Sequence, residues 1–314
     1  MKTSKASQRR TAKSTSQQGE SSKPASTSTS ASADPQTSLF SFRRIFMRIV
    51  FIAVTMYIVR NKFGNQLTTL VAVDTETEKA TFDVICSDDY ETRFRGCNPV
   101  HCKRVVMDGL FTMEEIEQLK RIADKGMALG GSTGGPTVLD LHSGAVSKGG
   151  KFINVYKVAE LQGMSPVFTD EDYSLYKSVK DVIKHLIVSE FDVDPSHLYL
   201  TKPTFFSRIT ALPAKTIHDE YWHPHVDKVT YGSFSYTSLL YLSDYQKDFQ
   251  GGRFVFLDSD NNKTVEPRSG RLSFFTSGSE NTHFVERVRS GTRFALTVAF
   301  TCDKKHAIDD PQPR

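Results

Sequence analysis

Residues 270–300 read GRLSFFTSGSENTHFVERVRSGTRFALTVAF, and this stretch is the most informative about the fold. It contains three short runs rich in β-branched and aromatic residues, GRLSFFT, HFVERV and TRFALTVAF, and turn residues lie beside them. Such runs are typical of β-strands joined by short turns. Similar runs begin at residue 199, namely YLTKPTFFSRITAL, SYTSLLYLSD and GRFVFLD. Six or more strands at this spacing predict a sandwich or a two-sheet jelly roll.

Two helical patterns precede these strands. Thr112 and Glu115 form a capping box ahead of IEQLKRIADKGM, whose apolar residues fall on one side of a helix. A second helix is predicted over roughly residues 170–191, where apolar residues recur at helical spacing. The glycine-rich segment at 129–150 predicts a long loop or an irregular hairpin. The order indicates an α+β fold, a double-stranded β-helix (jelly roll) braced by N-terminal helices.

The N-terminal part of the chain differs in charge from the rest. Residues 1–62 carry 11 Lys and Arg against two acidic residues, whereas the remainder carries 29 against 34. The folded part is therefore mildly acidic, which argues against a nucleic-acid partner. Residues 1–41 form a basic, Ser/Thr-rich tail with too few apolar residues to bury a core, so we expect this cytosolic tail to be disordered.

The apolar segment at residues 42–62 predicts a transmembrane helix. Between Ile45 and Val59 only Arg48 is charged, although this is shorter than the about 20 apolar residues of a full span. Arg48 could snorkel to the interface and extend the span. Because Lys and Arg are concentrated before the segment, it is expected to be a retained signal anchor of a single-pass type II membrane protein of the endoplasmic reticulum or Golgi, with the C-terminal domain in the lumen. An amphipathic helix lying on the membrane surface is the alternative.

Cysteine usage agrees with a luminal location. The chain has four cysteines, Cys86, Cys97, Cys102 and Cys302. In an oxidising lumen they could form two disulfides, with three possible pairings, and free buried thiols or a zinc site including His101 are the alternatives. We expect residues 63–103 to be a luminal stem that carries three of them. Asn262 opens an Asn-Lys-Thr acceptor sequence for N-glycosylation, so a luminal protein could be a glycoprotein.

The octet YWHPHVDK, residues 221–228, concentrates side chains that bind metals. Residues two apart in a strand point to the same face, so His223, His225 and Asp227 could face inward together. In non-haem oxygenases two histidines and one carboxylate hold Fe(II) on one face of an octahedron and leave the other positions open. The His-x-Asp order favours His225 and Asp227 as ligands, with His223 near the mouth of the pocket.

Two residues further along complete this pattern. His283 lies 58 residues after His225, so the intervening strands would have to bring the two together. Arg293 follows ten residues later, and deep in a barrel its guanidinium suits the distal carboxylate of a dicarboxylate. His101 and His218 are expected to be structural, and the loop at 211–223 is expected to shape specificity.

Together these features resemble a known family. His225-Val-Asp227, then Gly-Gly at 251–252 with Phe-Val-Phe after it, then His283 and Gly-Thr-Arg293 are similar to the catalytic core of the prolyl 4-hydroxylase group of 2-oxoglutarate- and Fe(II)-dependent dioxygenases. The tail, the anchor and RVVMDGLFTMEEI resemble the membrane-anchored 2-oxoglutarate and iron-dependent oxygenase domain-containing proteins of that group. The likeness covers residues 104–303, and residues 304–314 would be a C-terminal tail.

The resemblance implies specific roles and cofactors. His225, Asp227 and His283 would be the catalytic iron ligands, and Arg293 would anchor 2-oxoglutarate. Tyr241 would help to hold this co-substrate, or it is an aromatic residue of the core. The implied reaction is O2-dependent hydroxylation of a protein or peptide side chain, with Fe(II), 2-oxoglutarate and ascorbate as cofactors and succinate and CO2 as products. The alternatives are a catalytically silent jelly-roll scaffold of the secretory-pathway membrane and a zinc hydrolase, which would have no use for Arg293.

Overall fold

The computed structural model describes residues 36–63, 67–90, 94–215 and 219–313. Contacts between residues divide the chain into two units, Met1–Val59 and Arg60–Arg314. Residues 1–35, which make up most of the tail that we predict to be disordered, lie outside the described residues.

Helix α1 (Gln36–Phe63) covers the predicted anchor at residues 42–62. Its large apolar side chains between Phe42 and Tyr57 are exposed. Among the described residues, no helix combines the length and the apolar character that a membrane span requires. The predicted transmembrane helix is therefore not confirmed: charged arginines interrupt the first half of α1, which shortens its continuous apolar stretch.

Both helices predicted in the folded part are confirmed. Helix α2 (Met113–Met127) begins after the capping box, in which the side chains of Thr112 and Glu115 each bind the other residue's backbone N–H. Such a cap contributes about 1 kcal/mol to stability. Helix α4 (Asp170–Phe191) packs its apolar side against the same core. A third helix, α3 (Val155–Leu161), lies between them, and no pattern in the sequence predicted it.

Within the described residues, the strands form two sheets. The strands are β1 (Leu67–Val71), β2 (Ala80–Val84), β3 (Cys102–Met107), β4 (Pro136–Asp140), β5 (Ala145–Lys148), β6 (Lys151–Asn154), β7 (Tyr199–Thr210), β8 (Tyr236–Tyr241), β9 (Phe249–Gly251), β10 (Phe254–Phe256), β11 (Asn262–Val265), β12 (Leu272–Thr276), β13 (His283–Val285) and β14 (Val288–Thr301). The larger sheet has the order β2-β3-β12-β8-β14-β7-β4-β5-β6, with β9 paired to β14, and the smaller sheet has the order β1-β11-β10-β13. This mostly β-sheet arrangement with few helices is consistent with the predicted jelly roll.

The alternation of side chains along the strands creates two apolar layers. On β8, Leu240 packs in the cluster that contains the buried residues of α2 and α4. Its neighbours Leu239 and Tyr241 point the other way and pack with Phe254 and Phe256 of the smaller sheet. The larger sheet is therefore buried on both faces, and the layer between the two sheets is where a ligand site can be enclosed.

The segment expected to be a stem, residues 63–103, contributes strands to both sheets. β1 pairs in parallel with β11, and β2 pairs in antiparallel fashion with β3. Disulfides connect Cys86 to Cys102 and Cys97 to Cys302. Because no cysteine of the described chain is free, the alternative of a zinc site at His101 is wrong. The glycine-rich segment contains the antiparallel pair β4 and β5, as the hairpin alternative predicted.

Candidate metal centre

A short antiparallel bridge brings the two halves of the histidine pattern together. The N–H of His225 donates to the carbonyl of His283 over 2.9 Å, and the N–H of His283 donates to the carbonyl of His225 over 3.0 Å. His283 begins β13, whereas Asp227 begins the short helix α5 (Asp227–Tyr231). The expectation that a single strand carries His225 and Asp227 is therefore wrong, because the chain turns into α5 directly after the bridge.

The side chains of these three residues converge. Asp227 Oδ1 lies 3.5 Å from His225 Nε2 and 3.6 Å from His283 Nε2. One ligand atom from each residue lies within 4.8 Å of the others. Bonds of about 2.1 Å to a metal place neighbouring ligand atoms roughly 3 Å apart, so a divalent cation fits here after small side-chain adjustments.

Backbone carbonyls fix the orientation of both imidazoles. His225 Nδ1 donates to the carbonyl of His223 over 3.0 Å, and His283 Nδ1 donates to the carbonyl of Asn281 over 2.8 Å. Because a carbonyl can only accept, each Nδ1 carries a proton, and in the neutral form of each imidazole Nε2 presents its lone pair. Metal-binding histidines are typically held in this way.

The charges in the cluster favour a cation. Burial alone raises the pKa of Asp227, but His283, His225 and the hydroxyl of Thr237, which donates to Oδ2 over 2.7 Å, lower it below its usual value. Burial lowers the pKa of His283. An ionised carboxylate therefore lies beside a neutral imidazole, which is the protonation state that a metal requires of its ligands.

Aromatic rings surround His283. Phe254 stacks on the imidazole with 4.7 Å between ring centroids, and Phe275 and Phe256 lie at 5.3 Å and 6.3 Å. His283 is only 3% exposed. This enclosure excludes water from one side of the cluster and restricts the rotation of the imidazole.

Arg293 and Tyr241 lie on adjacent strands of the larger sheet, β14 and β8, and both are buried. Arg293 Nε donates to the carbonyl of Gly252 over 2.9 Å. Neither Arg293 Nη2 nor the hydroxyl of Tyr241 has a hydrogen-bond partner among the described residues. Burial raises the pKa of Tyr241 to about 12, so its phenol remains a proton donor at neutral pH. Two unpartnered donors in a buried site are rare and favour an anionic ligand.

A cavity of about 530 Å³ contains the three clustered residues and Arg293 in its lining. Phe205 and Ile209 of β7 and Val138 of β4 contribute its apolar wall. His223 also lines the cavity, but it is exposed and binds Glu220 over 2.6 Å through its Nε2. His218 and the adjoining part of the 211–223 loop, residues 216–217, lie outside the described residues.

Comparison with known proteins identifies the family. The model of the 2OG-Fe(II) oxygenase superfamily matches residues 213–301, which include the three clustered residues and Arg293. The chain is 58% identical over 232 residues to 2-oxoglutarate and iron-dependent oxygenase domain-containing protein 3 of Xenopus tropicalis, and the match covers 73% of each chain. The chain belongs to this oxygenase family.

More distant relatives of this oxygenase are prolyl hydroxylases. It is 28% identical over 230 residues to prolyl 3-hydroxylase 1 of Homo sapiens, which covers 66% of this chain and 30% of that protein. Among solved structures it is similar to a prolyl hydroxylase from Trichoplax adhaerens in complex with a hypoxia inducible factor peptide fragment. That match has 13% identity and a TM-score of 0.42, and it covers 65% of this chain and 85% of the other.

The oxygenase is thus a dioxygenase with Fe(II) and 2-oxoglutarate as cofactors, and its residues fit both. The two-histidine, one-carboxylate donor set of His225, Asp227 and His283 is that of non-haem Fe(II) enzymes. The unpartnered donors of Arg293 and Tyr241 can satisfy a carboxylate of 2-oxoglutarate.

Of the five residues that the sequence predicted, His225, Asp227, His283 and Arg293 line one cavity, whereas Tyr241 is not among its lining residues. The residues that support them were not predicted. Thr237 and Asn281 carried no recognisable signal, because a hydroxyl or a backbone carbonyl gains its role only from the fold. The rings of Phe254 and Phe256 lie in the Phe-Val-Phe run of the family pattern, so that run was the available signal.

Proposed function

We propose that this oxygenase hydroxylates a side chain of a protein or peptide in a prolyl hydroxylase-like reaction. In this reaction 2-oxoglutarate and O2 are converted to succinate and CO2 as the substrate gains a hydroxyl group. His225, Asp227 and His283 are the iron ligands, which their convergence within 4.8 Å supports. Arg293 and Tyr241 bind 2-oxoglutarate.

The observation that carries the proposal is the pair of unpartnered buried donors. A scaffold protein would gain nothing from an arginine whose Nη2 is buried without a partner, because such a group destabilises the fold. Arg293 lines the same cavity as the three clustered residues, so an anion that it holds lies beside the metal position. This arrangement supports a ligand that binds both, as a keto acid with a distal carboxylate does.

Each part of the site has a distinct task. Iron and 2-oxoglutarate, when bound, would supply the chemistry by which O2 oxidises a C–H bond of the substrate. The chain itself keeps the carboxylate of Asp227 ionised, holds both imidazoles with Nε2 inward, and orients the guanidinium of Arg293. The Phe254 ring keeps water from the enclosed side. Catalysis therefore depends on positioning and on a dry pocket.

The cavity supports a side chain of modest size as the group that reacts. Phe205, Val138 and Tyr231 give its wall apolar character, and the exposed His223 also lines it. A prolyl ring presented by an extended peptide matches such a wall, and a relative named prolyl 3-hydroxylase 1 supports this class of substrate. The fold itself does not fix the substrate.

Anaerobic titration of the full chain with Fe(II) and then 2-oxoglutarate tests the proposal. We expect a weak charge-transfer band in the visible range that is absent in His225→Ala. Under air, succinate should form from 2-oxoglutarate, and ascorbate should sustain the turnover. A wild-type protein that gives neither the band nor succinate contradicts the proposal.

Capture of peptides identifies the substrate. An Asp227→Ala variant keeps the cavity wall but loses the carboxylate ligand, so it should retain peptides without converting them. Peptides from secretory-pathway extracts that bind this variant, and that the wild-type enzyme then makes heavier by one oxygen atom, are substrates. If none of the bound peptides gains oxygen, the peptide substrate class is wrong.

We further propose that the oxygenase domain lies in the lumen of the endoplasmic reticulum or Golgi, with a type II orientation. The two disulfides support an oxidising compartment. The exposed apolar side chains of α1 and the basic residues before it support membrane attachment. Protease protection in sealed microsomes tests the luminal location, and carbonate extraction distinguishes an integral from a peripheral attachment.

N-glycosylation at Asn262 follows from the same proposal. Asn262 begins β11, and the hydroxyl of Thr264 is buried and donates to the carbonyl of Phe254 over 2.9 Å. Glycan transfer needs this acceptor sequence accessible, so the addition should precede the pairing of β11. A glycosidase-sensitive mass shift that disappears in Asn262→Gln is the expected result, and its absence contradicts the glycan.

A further inference from the structure

The orientation of His283 depends on the turn that precedes it. Residues Ser279–Asn281 form a short 3-10 turn, and the carbonyl of Asn281 accepts the Nδ1 proton of His283 over 2.8 Å. A shift of this carbonyl would rotate the imidazole and move Nε2 away from the metal position. The groups that hold Asn281 in place therefore influence the geometry of the metal site.

Arg104 holds this turn at two points. Its Nε donates to Asn281 Oδ1 over 2.7 Å, and its Nη2 donates to the carbonyl of Glu280 over 3.2 Å. The amide of Asn281 also donates to the carbonyl of Thr276 over 2.8 Å. Asn281 is only 1% exposed, so these partners replace water entirely. The guanidinium therefore fixes two consecutive residues just before His283.

Arg104 is itself fixed. It is 2% exposed and lies on β3, opposite Phe275 of β12. Its Nη1 and Nη2 form a two-point contact with Asp258 over 2.9 Å and 2.6 Å. The guanidinium carbon lies 4.0 Å from the centroid of Phe256, a ring that borders His283. A planar guanidinium held at two points has little freedom to move. It can therefore hold Asn281 and Glu280 in one defined position.

We propose that Arg104 is a positioning residue for iron binding. It acts through Asn281, whose carbonyl orients His283, and through Phe256, which packs against the imidazole. This inference rests on the proposed role of His283 as an iron ligand. Arg104 lies outside the cavity lining, so it does not touch the metal position. Its charge also helps to lower the pKa of His283, after the larger effect of burial. Loss of that charge alone would not weaken the binding of a cation, so a weaker affinity in a variant reports the loss of positioning.

Arg271 provides a matched control. It is fully buried and forms a two-point contact with Asp108, through Nε over 2.9 Å and Nη2 over 2.8 Å. Its remaining bonds go to backbone carbonyls outside the turn before His283. Arg104→Met and Arg271→Met therefore each remove a buried arginine with a two-point contact to an aspartate, but only the first removes a contact with Asn281.

The test measures Fe(II) affinity of the full chain by anaerobic calorimetry without 2-oxoglutarate, together with the visible spectrum of the Co(II)-loaded protein. Arg104→Met should weaken Fe(II) binding about 10- to 100-fold and alter the Co(II) spectrum. Arg271→Met should leave both unchanged although it destabilises the fold. Asp258→Asn, which removes the charge that anchors Arg104 and keeps the shape of the side chain, should weaken binding in the same direction by a smaller factor.

The outcomes separate this inference from the proposed function. If the wild-type protein binds no Fe(II), the proposed function fails. If it binds Fe(II) and Arg104→Met matches Arg271→Met in affinity and spectrum, only the positioning role is overturned. Should Arg104→Met not fold, Asp258→Asn decides alone, and an unchanged affinity in that variant overturns the inference.

Discussion

Arg271 and Arg293 are both buried arginines in the region of the larger sheet, and they differ in their hydrogen-bond partners. Arg271 meets the carboxylate of Asp108 and three backbone carbonyls. Arg293 meets one carbonyl, that of Gly252, and its Nη2 has no partner among the described residues. The two side chains are equally enclosed, so burial alone does not distinguish a structural arginine from one that binds a ligand.

This difference indicates where a ligand binds. A buried charge without a counter-ion destabilises the folded state, and it persists where a ligand supplies the missing charge. Burial lowers the pKa of Arg293, which reflects this cost, but a guanidinium remains protonated in proteins. Arg271 supports the fold in the ligand-free protein, whereas Arg293 can still receive an anion.

The largest expected effect is on stability. Arg271→Met leaves Asp108 buried without its cation, so we expect a loss of about 3–5 kcal/mol in the free energy of unfolding. Arg293→Met removes a charge that has no counter-ion, so the ligand-free stability should fall by less than about 1 kcal/mol or rise. Denaturant unfolding of both variants without 2-oxoglutarate measures the two free energies of unfolding. Equal losses of stability would show that Arg271 and Arg293 do not differ in their structural role.

Binding of 2-oxoglutarate should show the opposite order. Arg293→Met removes the cation that meets the carboxylate, so affinity should fall by about 2–5 kcal/mol, which is roughly 30-fold or more. Arg293→Lys keeps the charge but not the planar fork, and it should recover part of the loss. Calorimetric titration of the Fe(II)-loaded protein is the measurement, and an unchanged affinity in Arg293→Met would remove Arg293 from the co-substrate site.

Much of the site was predictable because its chemistry is local in sequence. His225 and Asp227 lie two residues apart, and an arginine ten residues after His283 fits the pattern of the family. The contrast between Arg271 and Arg293 was not predictable, since it depends on Asp108, which lies 163 residues from Arg271 in the chain. Long-range partners of this kind leave no periodic signal.

The fold was predictable where periodicity was strong. The capping box at Thr112 and the helical spacing in α4 gave correct helices. The strands of residues 67–107 escaped detection because β1 and β2 are five-residue strands whose exposed polar positions obscure the alternation. Their place in the sheets comes from pairing with β11 and β3.

A smaller effect on 2-oxoglutarate affinity is expected at Gly252, whose carbonyl accepts a hydrogen bond from Arg293 Nε. Gly252 has a φ of +66°, and an added Cβ would lie 3.2 Å from Arg293 Cδ and 2.9 Å from Val288 Cγ2. Gly252→Ala should displace the guanidinium and weaken 2-oxoglutarate binding by as much as about 100-fold. Gly149→Ala is the control, because Gly149 has a φ of +59° but no atom near its Cβ position among the described residues. Equal affinities in the two variants would show that Gly252 does not aim Arg293.

The smallest expected effect is at Tyr241, whose unpartnered hydroxyl is neutral, unlike the guanidinium of Arg293. Tyr241→Phe removes a hydroxyl that has no partner among the described residues, so the ligand-free stability should not fall. Binding of 2-oxoglutarate should weaken by about 0.5–1.5 kcal/mol, the contribution of one hydrogen bond. Because burial raises the pKa of Tyr241 to about 12, the phenol keeps its proton below that pH, and the difference between the variants should be constant from about pH 7 to pH 9. A loss of stability in Tyr241→Phe, with unchanged affinity, would make Tyr241 a core residue and leave Arg293 as the principal contact of the co-substrate.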